Sequence, residues 1–309
     1  MMNKENVKVE LIRRRKITMR KVMLSMYKIV VKLFSGHGIG KFYHIKSVQN
    51  HIISHLKTTF AEVDEHAMFL DSKDTLNLSI KGIFEPFETE VVKKEIKKGD
   101  VVLDIGANIG YYTLIFAKLV GKEGKVFAFE PDPTNFSLLK KNVEINDYKN
   151  VILVKKAVSN KTGKIKLYLC GDNQGDHRIY DSHDNRHWIQ IEAIRLDDYF
   201  KNYNGKINFI KMDIQGAEGG AAQGMFNLLK KNNVKIVTEV WPIGLKRFGT
   251  DAEEYLKLLA ELGFRLYEIN EREKKIKPVN IPELLEIYTP EKENETNLLC
   301  MRENQMHIE

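Results

Sequence analysis

The sequence predicts an α/β fold built on a mostly parallel, seven-stranded sheet with helices on both faces. From residue 99 onward, short apolar segments alternate with segments of helical periodicity, a pattern typical of parallel strands joined by crossover helices. A glycine-containing turn follows the first of these strands, where a helix is expected to begin. Together these observations indicate a doubly wound sheet with a ligand crevice at the carboxyl ends of its strands.

Seven apolar segments are expected to form the sheet, and four periodic segments are expected to cover it. The strands are predicted at residues 101–105, 125–129, 151–155, 207–212, 235–240, 264–269 and 297–301. The helices are predicted at residues 109–120, 134–146, 216–231 and 251–262, where apolar side chains recur at helical spacing. The third helix is expected to begin later than residue 216, because Gly219 and Gly220 disfavour helix.

Two departures from this regular alternation are expected. No helix is predicted between the last two strands, so they are expected to form an antiparallel pair at one edge of the sheet. Between the third and fourth strands, residues 164–169 and 189–194 are expected to be additional strands. They flank a polar loop at residues 171–187 that is rich in histidine and aspartate.

The net charge of +7 comes from the N-terminal arm. Residues 1–60 contain 13 of the 49 Lys and Arg residues but only 2 of the 42 Asp and Glu residues. Apolar residues at helical spacing predict a basic helix at residues 13–34. We therefore divide the chain into a basic N-terminal helical extension, residues 1–66, and a main domain, residues 67–309. The helix is expected to pack on the domain with its lysines in solvent; contact with a membrane surface or a partner is the alternative.

The composition favours a globular protein of a reducing compartment. The two cysteines, Cys170 and Cys300, cannot build a disulfide framework, so a cytoplasmic setting is expected. Lys28 and Lys32 interrupt the most apolar N-terminal stretch, at residues 22–34, whereas a spanning helix needs about 20 apolar residues. Any membrane association is therefore expected to be peripheral, through the basic arm.

The segment from Asp104 to Glu130 predicts a nucleoside-binding site. Gly106 and Gly110 lie in the turn between strand and helix, where glycine allows a sharp bend and close approach of a ligand or element. Asn108 stands where the dinucleotide fingerprint has its middle glycine, which argues against a pyrophosphate ligand. Glu130 ends the next strand, where a carboxylate can accept both ribose hydroxyls. Asp104, at its own strand tip, can receive the cationic amino group of a methionine moiety.

Residues 81–302 resemble the FkbM family of S-adenosylmethionine-dependent methyltransferases. The resemblance rests on the segments "VVLDIGANIGYYTLIFAKLVGKEGKVFAFEPDPTNFSLLKKNVEIN", "KKAVSNKTG", "LDDYF", "INFIKMDIQGAE" and "TEVWP". It implies a Rossmann-like class I methyltransferase fold with S-adenosyl-L-methionine as the cofactor. Many members of this family methylate hydroxyls on sugars, polyketides or similar metabolites.

The resemblance also implies which residues hold the cofactor. The segment "GIFEPFET" at residues 82–89, which contains Glu85, would cover the methionine end. Ala157 and Val158, just after the third strand, would lie beside the adenine. Asp213, at the end of the fourth strand, would orient the sulfonium or the acceptor. The glycine turn and the next strand would supply the remaining contacts, from Asp104, Gly106, Asn108, Gly110, Glu130 and Pro131.

Three residues are candidates for the acceptor side of the site. Methyl transfer to a hydroxyl requires an aligned acceptor and a group that manages its proton. His177 is the predicted general base, because imidazole titrates near neutrality; a solvated loop histidine is the alternative. Asp213 and Glu239, at two strand ends, are further candidates, although Glu239 also fits a structural acid. Glu218 is expected to cap the next helix, and with Asp213 it is only a weak metal signal, so no metal is predicted.

The predicted function is O-methylation of a hydroxyl on a sugar, glycan or other small metabolite. A nucleic-acid methyltransferase and a non-catalytic membrane-surface module that keeps the fold are the alternatives. The first is disfavoured, because residues 213–216 read Asp-Ile-Gln-Gly where nucleic-acid methyltransferases of one class carry Asp/Asn-Pro-Pro-aromatic. The main domain also lacks interleaved aromatic and basic residues. No oligomeric state is predicted.

Overall fold

The computed structural model describes residues 56–305 together with Ser25 and Ile53. The basic helix predicted at residues 13–34 lies outside these residues, apart from Ser25, which is helical and exposed. Its contact with a membrane or partner stays a prediction. Within the described part of the chain, no helix is both long and apolar enough to cross a membrane.

Three sheets contain all the strands of the described residues. In chain order the strands are β1 (Phe60–Val63), β2 (His66–Phe69), β3 (Val101–Ile105), β4 (Lys125–Phe129), β5 (Val151–Val154), β6 (Ala157–Val158), β7 (Gly163–Tyr168), β8 (Trp188–Ile194), β9 (Phe209–Met212), β10 (Lys235–Val240), β11 (Arg265–Asn270), β12 (Lys275–Val279) and β13 (Thr296–Met301).

The α-helices of the described residues lie between these strands. They are α1 (Leu78–Lys81), α2 (Pro86–Glu95), α3 (Tyr111–Val120), α4 (Pro133–Ile145), α5 (Leu196–Tyr199), α6 (Glu218–Gly224), α7 (Phe226–Lys231), α8 (Pro242–Phe248), α9 (Ala252–Glu261) and α10 (Ile281–Ile287).

The main sheet has the strand order β12-β11-β13-β10-β9-β3-β4-β5. Strands β10, β9, β3, β4 and β5 are parallel neighbours, and β13 is antiparallel to both β10 and β11. Buried apolar side chains of α2, α3 and α4 pack on one face, and those of α6, α7 and α9 pack on the other. The expected class I methyltransferase architecture, with helices on both faces, is confirmed.

The far edge of the sheet differs from the prediction in two ways. The sheet has eight strands and not seven, because β12 pairs with β11 as an additional edge strand. Helix α10 also lies between β11 and β13, where no helix was expected. The sequence of β12, KIKPV, hides the strand, because its two lysines and its proline suit an edge strand, where one side meets solvent, and interrupt the apolar pattern of the central strands.

The helix expected at residues 216–231 is divided into α6 and α7. Helix α6 begins at Glu218 and includes Gly219 and Gly220, because both glycines are packing contacts. A Cβ atom on Gly219 would lie 2.3 Å from Thr250 Cγ2, and one on Gly220 would lie 2.4 Å from the Phe248 ring. The low helix propensity of glycine is therefore outweighed by close approach of the end of α8 and the residues that follow it.

The two strands predicted on either side of the polar loop are β7 and β8. They pair antiparallel along their length, and β6 joins β8 in parallel to complete a three-stranded sheet. This small sheet carries the loop at residues 171–187 to the carboxyl ends of the main strands.

A short hairpin, β1–β2, is tied to the main sheet through Asn142 of α4. The Asn142 Oδ1 atom accepts from the Phe69 N–H at 2.6 Å, and its Nδ2 donates to the Phe69 carbonyl at 2.9 Å. Nδ2 also donates to the Ile109 carbonyl at 2.8 Å, and the side chain is fully buried. The proposed division between residues 66 and 67 falls within this hairpin and stays a prediction.

We expect Asn142→Ala to lower the free energy of unfolding by roughly 2 kcal/mol. The substitution leaves three buried backbone groups without their partner, and each such group costs about 1–3 kcal/mol before relaxation and water entry. Urea unfolding followed by circular dichroism measures the change. Asn202→Ala is the control, because Asn202 is exposed and its replacement should stay within about 0.5 kcal/mol of the wild type. Equal stability of the two variants would contradict this role.

Candidate active site

A cavity of about 320 Å³ opens at the carboxyl ends of β3, β4, β9 and β10. This is the position where open α/β sheets bind their ligands. Of the residues predicted for the site, all except Gly110 line this cavity: Glu85, Asp104, Gly106, Asn108, Glu130, Pro131, Ala157, Val158, His177, Asp213 and Glu239.

The two glycines of the turn after β3 have packing roles. Gly106 has a φ of 85°, and a Cβ atom there would lie 2.0 Å from the Asp213 carbonyl oxygen. The side chain is therefore excluded by the end of β9 and not by a ligand. Gly110 has a φ of 96°, and its Cβ atom would lie 2.7 Å from Leu139 Cδ1 in α4. This contact supports the close-packing interpretation of Gly110, which stands outside the cavity lining.

Glu130 is held at the tip of β4 by two backbone donors. The Asn108 N–H donates to its Oε2 atom and the Asp132 N–H to its Oε1 atom, both at 2.8 Å. Asn108 adopts a left-handed φ of 51° in the turn that presents this N–H. Burial raises the pKa of Glu130 to about 8. Each carboxylate oxygen keeps a lone pair for the cavity, so the group can accept hydrogen bonds from a vicinal diol.

Asp104 lies deeper, at the end of β3. Its side chain is buried, and its Oδ2 accepts a short hydrogen bond from the Thr113 hydroxyl. Burial raises the pKa of Asp104 to about 6, although the hydrogen bond from Thr113 favours the ionised form. A cationic group bound in the cavity would restore its charge, because an opposite charge nearby stabilises a carboxylate.

A buried ion pair below the cavity was not predicted. Lys211, in β9, is 2% exposed, and its Nζ lies 3.2 Å from Glu88 Oε1 and 3.8 Å from Asp213 Oδ2. The Tyr112 hydroxyl donates to the same Glu88 oxygen at 2.8 Å. Although burial opposes the charged ammonium, the carboxylates of Glu88, Asp213 and Glu85 raise the pKa of Lys211. A lysine inside the otherwise apolar strand FIKM was the signal that could have revealed it.

Glu85 approaches this pair from the segment before α2. It adopts a left-handed φ of 39°, an uncommon conformation for a residue other than glycine. Burial and the negative charge of Glu88 raise the pKa of Glu85 to about 9. The Glu85 carboxyl therefore faces the cavity close to a second carboxylate, an arrangement that favours a cationic ligand.

Gln215 connects two carboxylates on the acceptor side of the cavity. Its Nε2 donates to Asp213 Oδ1 at 3.0 Å and lies 3.5 Å from Glu239 Oε2. Burial, followed by the charges of Asp213 and Glu218, raises the pKa of Glu239 well above its ordinary value. Glu295, which was not predicted, also lines the cavity, and burial raises its pKa too. This side of the cavity is therefore acidic and poorly hydrated.

His177 lines the same cavity from the polar loop. Its Nδ1 accepts a hydrogen bond from the Cys170 N–H at 3.0 Å. A backbone N–H can only donate, so the neutral ring carries its proton on Nε2. Burial lowers the pKa of His177, which favours this neutral form. Such a ring donates a hydrogen bond from Nε2, and this geometry fits a donor to the acceptor molecule better than it fits the predicted general base.

Two arginines fix the loop that carries His177. Arg178 forms a bidentate pair with Asp176 at 2.8 and 3.0 Å, and its guanidinium stacks on Trp241 at 4.8 Å. Arg186 donates to Asp176 Oδ2 at 2.8 Å and to Asp184 at 2.7 Å. The loop is thus anchored and not simply solvated, and it covers one side of the cavity.

Glu218 has a structural position at the start of α6. Its Oε1 accepts from the Ile214 N–H at 2.9 Å, so it holds the turn between β9 and α6. It does not cap the helix as predicted, because Ala217 is the N-cap residue and no side-chain hydrogen bond caps α6. It is fully buried, and burial raises its pKa to about 8. Within the described residues, no group of three or more His, Cys, Asp and Glu residues has an arrangement that could hold a metal ion.

The fold and the cavity define a methyltransferase of class I. The family described as "Methyltransferase FkbM domain" matches residues 104–266. This match spans more than half of the chain, so the chain belongs to the FkbM methyltransferase family, and its methyl donor is S-adenosylmethionine.

Two curated relatives share less than 30% sequence identity with this chain and cover more than half of it. Hexuronic acid methyltransferase AglP of Haloferax volcanii is 28% identical over 179 residues, which span 56% of this chain and 68% of that protein. Methyltransferase sdnD of Sordaria araneosa is 23% identical over 217 residues, which span 60% of this chain and 83% of that protein. Among solved structures, the methyltransferase FkbM from Methylobacillus flagellatus is 15% identical with a TM-score of 0.39, covering 73% of this chain and 52% of that one.

The cavity suits the cofactor in its size and its chemistry. A volume of about 320 Å³ lies within the range of small-molecule sites. Glu130 offers acceptors for a diol, whereas Asp104 and Glu85 can ionise beside the cationic sulfonium and amino groups. The assignment of individual contacts stays a prediction, and the following experiment tests it.

We expect Glu130→Ala to weaken S-adenosylmethionine binding at least tenfold. Loss of a charge-assisted hydrogen bond costs about 1.5 kcal/mol or more, which corresponds to a factor of about ten in Kd. Titration calorimetry measures the affinity. Glu123→Ala, in the exposed turn before β4, is the control and should bind like the wild type. Unchanged affinity of the Glu130 variant would remove this residue from the cofactor site.

The ligand-free protein should lose stability as the pH rises, in part through Glu218. Its pKa is about 8 in the folded protein and ordinary when unfolded, so its contribution is complete below about 4.5 and is lost as the pH rises through 8. Glu218→Gln cannot ionise. Between pH 5 and pH 9, we expect its free energy of unfolding to fall less than that of the wild type, by at least about 1 kcal/mol.

Denaturant unfolding at the two pH values measures this difference. The exposed Glu254→Gln variant in α9 should follow the wild type at both. Parallel pH dependence of wild type and Glu218→Gln would show that Glu218 is ionised in the folded protein.

Proposed function

We propose that this methyltransferase transfers the methyl group to a hydroxyl of a sugar residue, with Glu239 as the general base. One observation carries the proposal: a buried carboxylate of raised pKa, Glu239, stands in the cofactor cavity next to Asp213. A base whose pKa is raised toward that of its substrate takes a proton from a hydroxyl more effectively than an ordinary carboxylate.

The charge of the cavity supports a hydroxyl acceptor over a carboxylate acceptor. Six acidic side chains line it: Glu85, Asp104, Glu130, Asp213, Glu239 and Glu295. Once the cationic methyl donor has restored the charge of the carboxyls beside it, another carboxylate placed among them would be repelled, whereas a neutral hydroxyl could be held between His177 and Glu239. A carboxylate acceptor would also need no base. AglP is by its name a hexuronic acid methyltransferase, which supports a sugar as the acceptor class.

The residues that line the cavity would have separate roles in methyl transfer. S-adenosylmethionine supplies an electrophilic methyl group when it is bound. Glu130, Asp104 and Glu85 would bind the donor, and the imidazole of His177 would donate a hydrogen bond that orients the acceptor. Asp213, held by Gln215 and Lys211, would position the hydroxyl, and Glu239 would accept its proton. Exclusion of water by the loop and the buried carboxylates would keep these groups aligned.

Methyl transfer from labelled S-adenosylmethionine tests the proposal directly. Free hexoses, hexuronic acids and oligosaccharides are offered together with RNA and DNA as competing acceptor classes. We expect the label in an alkali-stable methyl ether on a sugar. Label recovered only in nucleic acid, or only as an alkali-labile ester, would overturn the proposal.

Glu239→Gln should lower kcat by about a hundredfold or more, the range found for loss of a general base, and should leave cofactor affinity nearly unchanged. In the wild type, kcat should rise with pH as Glu239 ionises, and the variant should lack this rise. His177→Ala should lower kcat but keep the rise, because His177 acts as a donor. If the rise disappears in the His177 variant and persists in the Glu239 variant, the two roles are reversed.

A further inference from the structure

A second cavity, of about 410 Å³, lies outside the methyltransferase site, beside the small sheet. Its lining combines Trp188 and Tyr168 with the charged or polar side chains of Lys166, Asp181, Asn185 and Arg186. Trp188 and Tyr168 are cross-strand partners, so they project from the same face of the sheet. The Trp188 side chain is 45% exposed, although it is large and apolar.

We propose that this outer pocket binds a second sugar residue of the acceptor glycan, one that carries a carboxylate. The inference rests on the proposed function, because it extends a sugar acceptor to a longer chain. It makes the outer pocket a specificity site that is distinct from the cavity where the methyl group is transferred.

The aromatic surface of Trp188 suits a pyranose ring. One face of a pyranose presents C–H groups, and an indole offers a broad apolar surface for them with little conformational entropy to lose. Trp188 and Tyr168 stand side by side in the pocket, so the aromatic surface is continuous and not a single exposed side chain. Asp181, Asn185 and Arg186 line the same pocket as Trp188. Their planar polar groups can form hydrogen bonds with sugar hydroxyls.

Lys166 supplies the preference for a carboxylate. Its Nζ lies 4.2 Å from the centroid of the Trp188 ring. No carboxylate among the described residues forms an ion pair with it, so its charge is available to a ligand on the ring. A sugar carboxylate at this position would pair with an ammonium group that the protein already holds in place.

Hydrogen bonds and ion pairs hold part of the polar rim of the pocket. His183 and Asn185 adopt left-handed φ values of 59° and 57°, and Asp181 Oδ1 accepts from the His183 N–H at 2.8 Å. Arg186 is fixed by its bonds to Asp176 and Asp184. These contacts lower the ordering cost of presenting the hydrogen-bonding groups to a ligand.

Residues of the same loop line both the outer pocket and the inner cavity. Arg186 lines the outer pocket and holds Asp176, and the residue after Asp176, His177, lines the inner cavity. One glycan chain could therefore contact both. The charges set its direction: with the cationic donor bound, the ionised carboxyls of the inner cavity would repel a sugar carboxylate, whereas Lys166 would attract it. The uronate would lie outside and the sugar that receives the methyl group inside.

Intrinsic fluorescence of the full-length protein provides the test. The sequence contains only two tryptophans, Trp188 and Trp241, and only Trp188 lines this pocket. Trigalacturonate, maltotriose and a thymidine oligonucleotide are titrated as an acidic sugar, a neutral sugar and a nucleic acid. We expect trigalacturonate to change the fluorescence with saturation and to bind at least about fivefold more tightly than maltotriose.

Variants assign the effect to the pocket. Calorimetry should show that Trp188→Ala weakens trigalacturonate binding at least about tenfold and that Trp188→Phe recovers most of it. Lys166→Gln should remove the preference for trigalacturonate over maltotriose. Phe226→Ala is the matched control, because Phe226 is an exposed aromatic residue in α7 outside the pocket, and it should bind like the wild type. Cofactor affinity should be unchanged in all four variants.

Three results would overturn the inference. They are no binding of either sugar, equal binding by the wild type and Trp188→Ala, or oligonucleotide binding that Trp188→Ala abolishes. The proposed function fails separately: sugars that bind at Trp188 but never accept a methyl group would contradict the acceptor class and leave the outer pocket in place. If a sugar accepts the methyl group and Trp188→Ala changes neither its binding nor its methylation, the outer pocket is contradicted and the acceptor class stays in place.

Discussion

The contact between the turn after β3 and the end of β9 determines the geometry of the active site. Gly106 meets the Asp213 carbonyl so closely that a Cβ atom would lie 2.0 Å from it. The same turn presents the Asn108 N–H to Glu130, while Asp213 and Gln215 extend from the other side of the contact. A single backbone approach therefore sets the distance between the residues assigned to the methyl donor and those assigned to the acceptor.

Electrostatic balance is the second constraint on the site. Burial raises the pKa values of Glu85, Asp104, Glu130 and Glu239, so the free cavity tends to hold its carboxyl groups in the neutral form. Lys211 opposes this protonation, because its ammonium group pairs with Glu88 and approaches Asp213. Among the described residues, Lys156 and Lys211 are the cations that line the cavity. The neutral carboxyls can ionise when a positively charged ligand binds beside them, because an opposite charge stabilises a carboxylate.

The periodicity of apolar residues and the chemistry of the glycine turn were sufficient to predict the centre of the fold. The parallel strands, the glycine turn and Glu130 follow from local signals, and the residues predicted around them do meet in one cavity, apart from Gly110. The edge strand β12 escaped prediction because its lysines and proline interrupt the apolar pattern by which the central strands were recognised. Lys211 and Glu295 escaped because their importance depends on neighbours distant in sequence. The tautomer of His177 depends on the Cys170 N–H, which no sequence pattern reveals.

The pair formed by Lys211 and Glu88 also restricts how this sequence can diverge. The two residues come from β9 and α2 and lie 3.2 Å apart, almost without exposure to solvent. Replacement of Lys211 alone would leave Glu88 as an uncompensated charge in the interior, at a cost of roughly 3–5 kcal/mol, which is a large part of the stability of a typical domain. Exchange of both for apolar residues would avoid this cost, so the two positions are expected to change together during evolution.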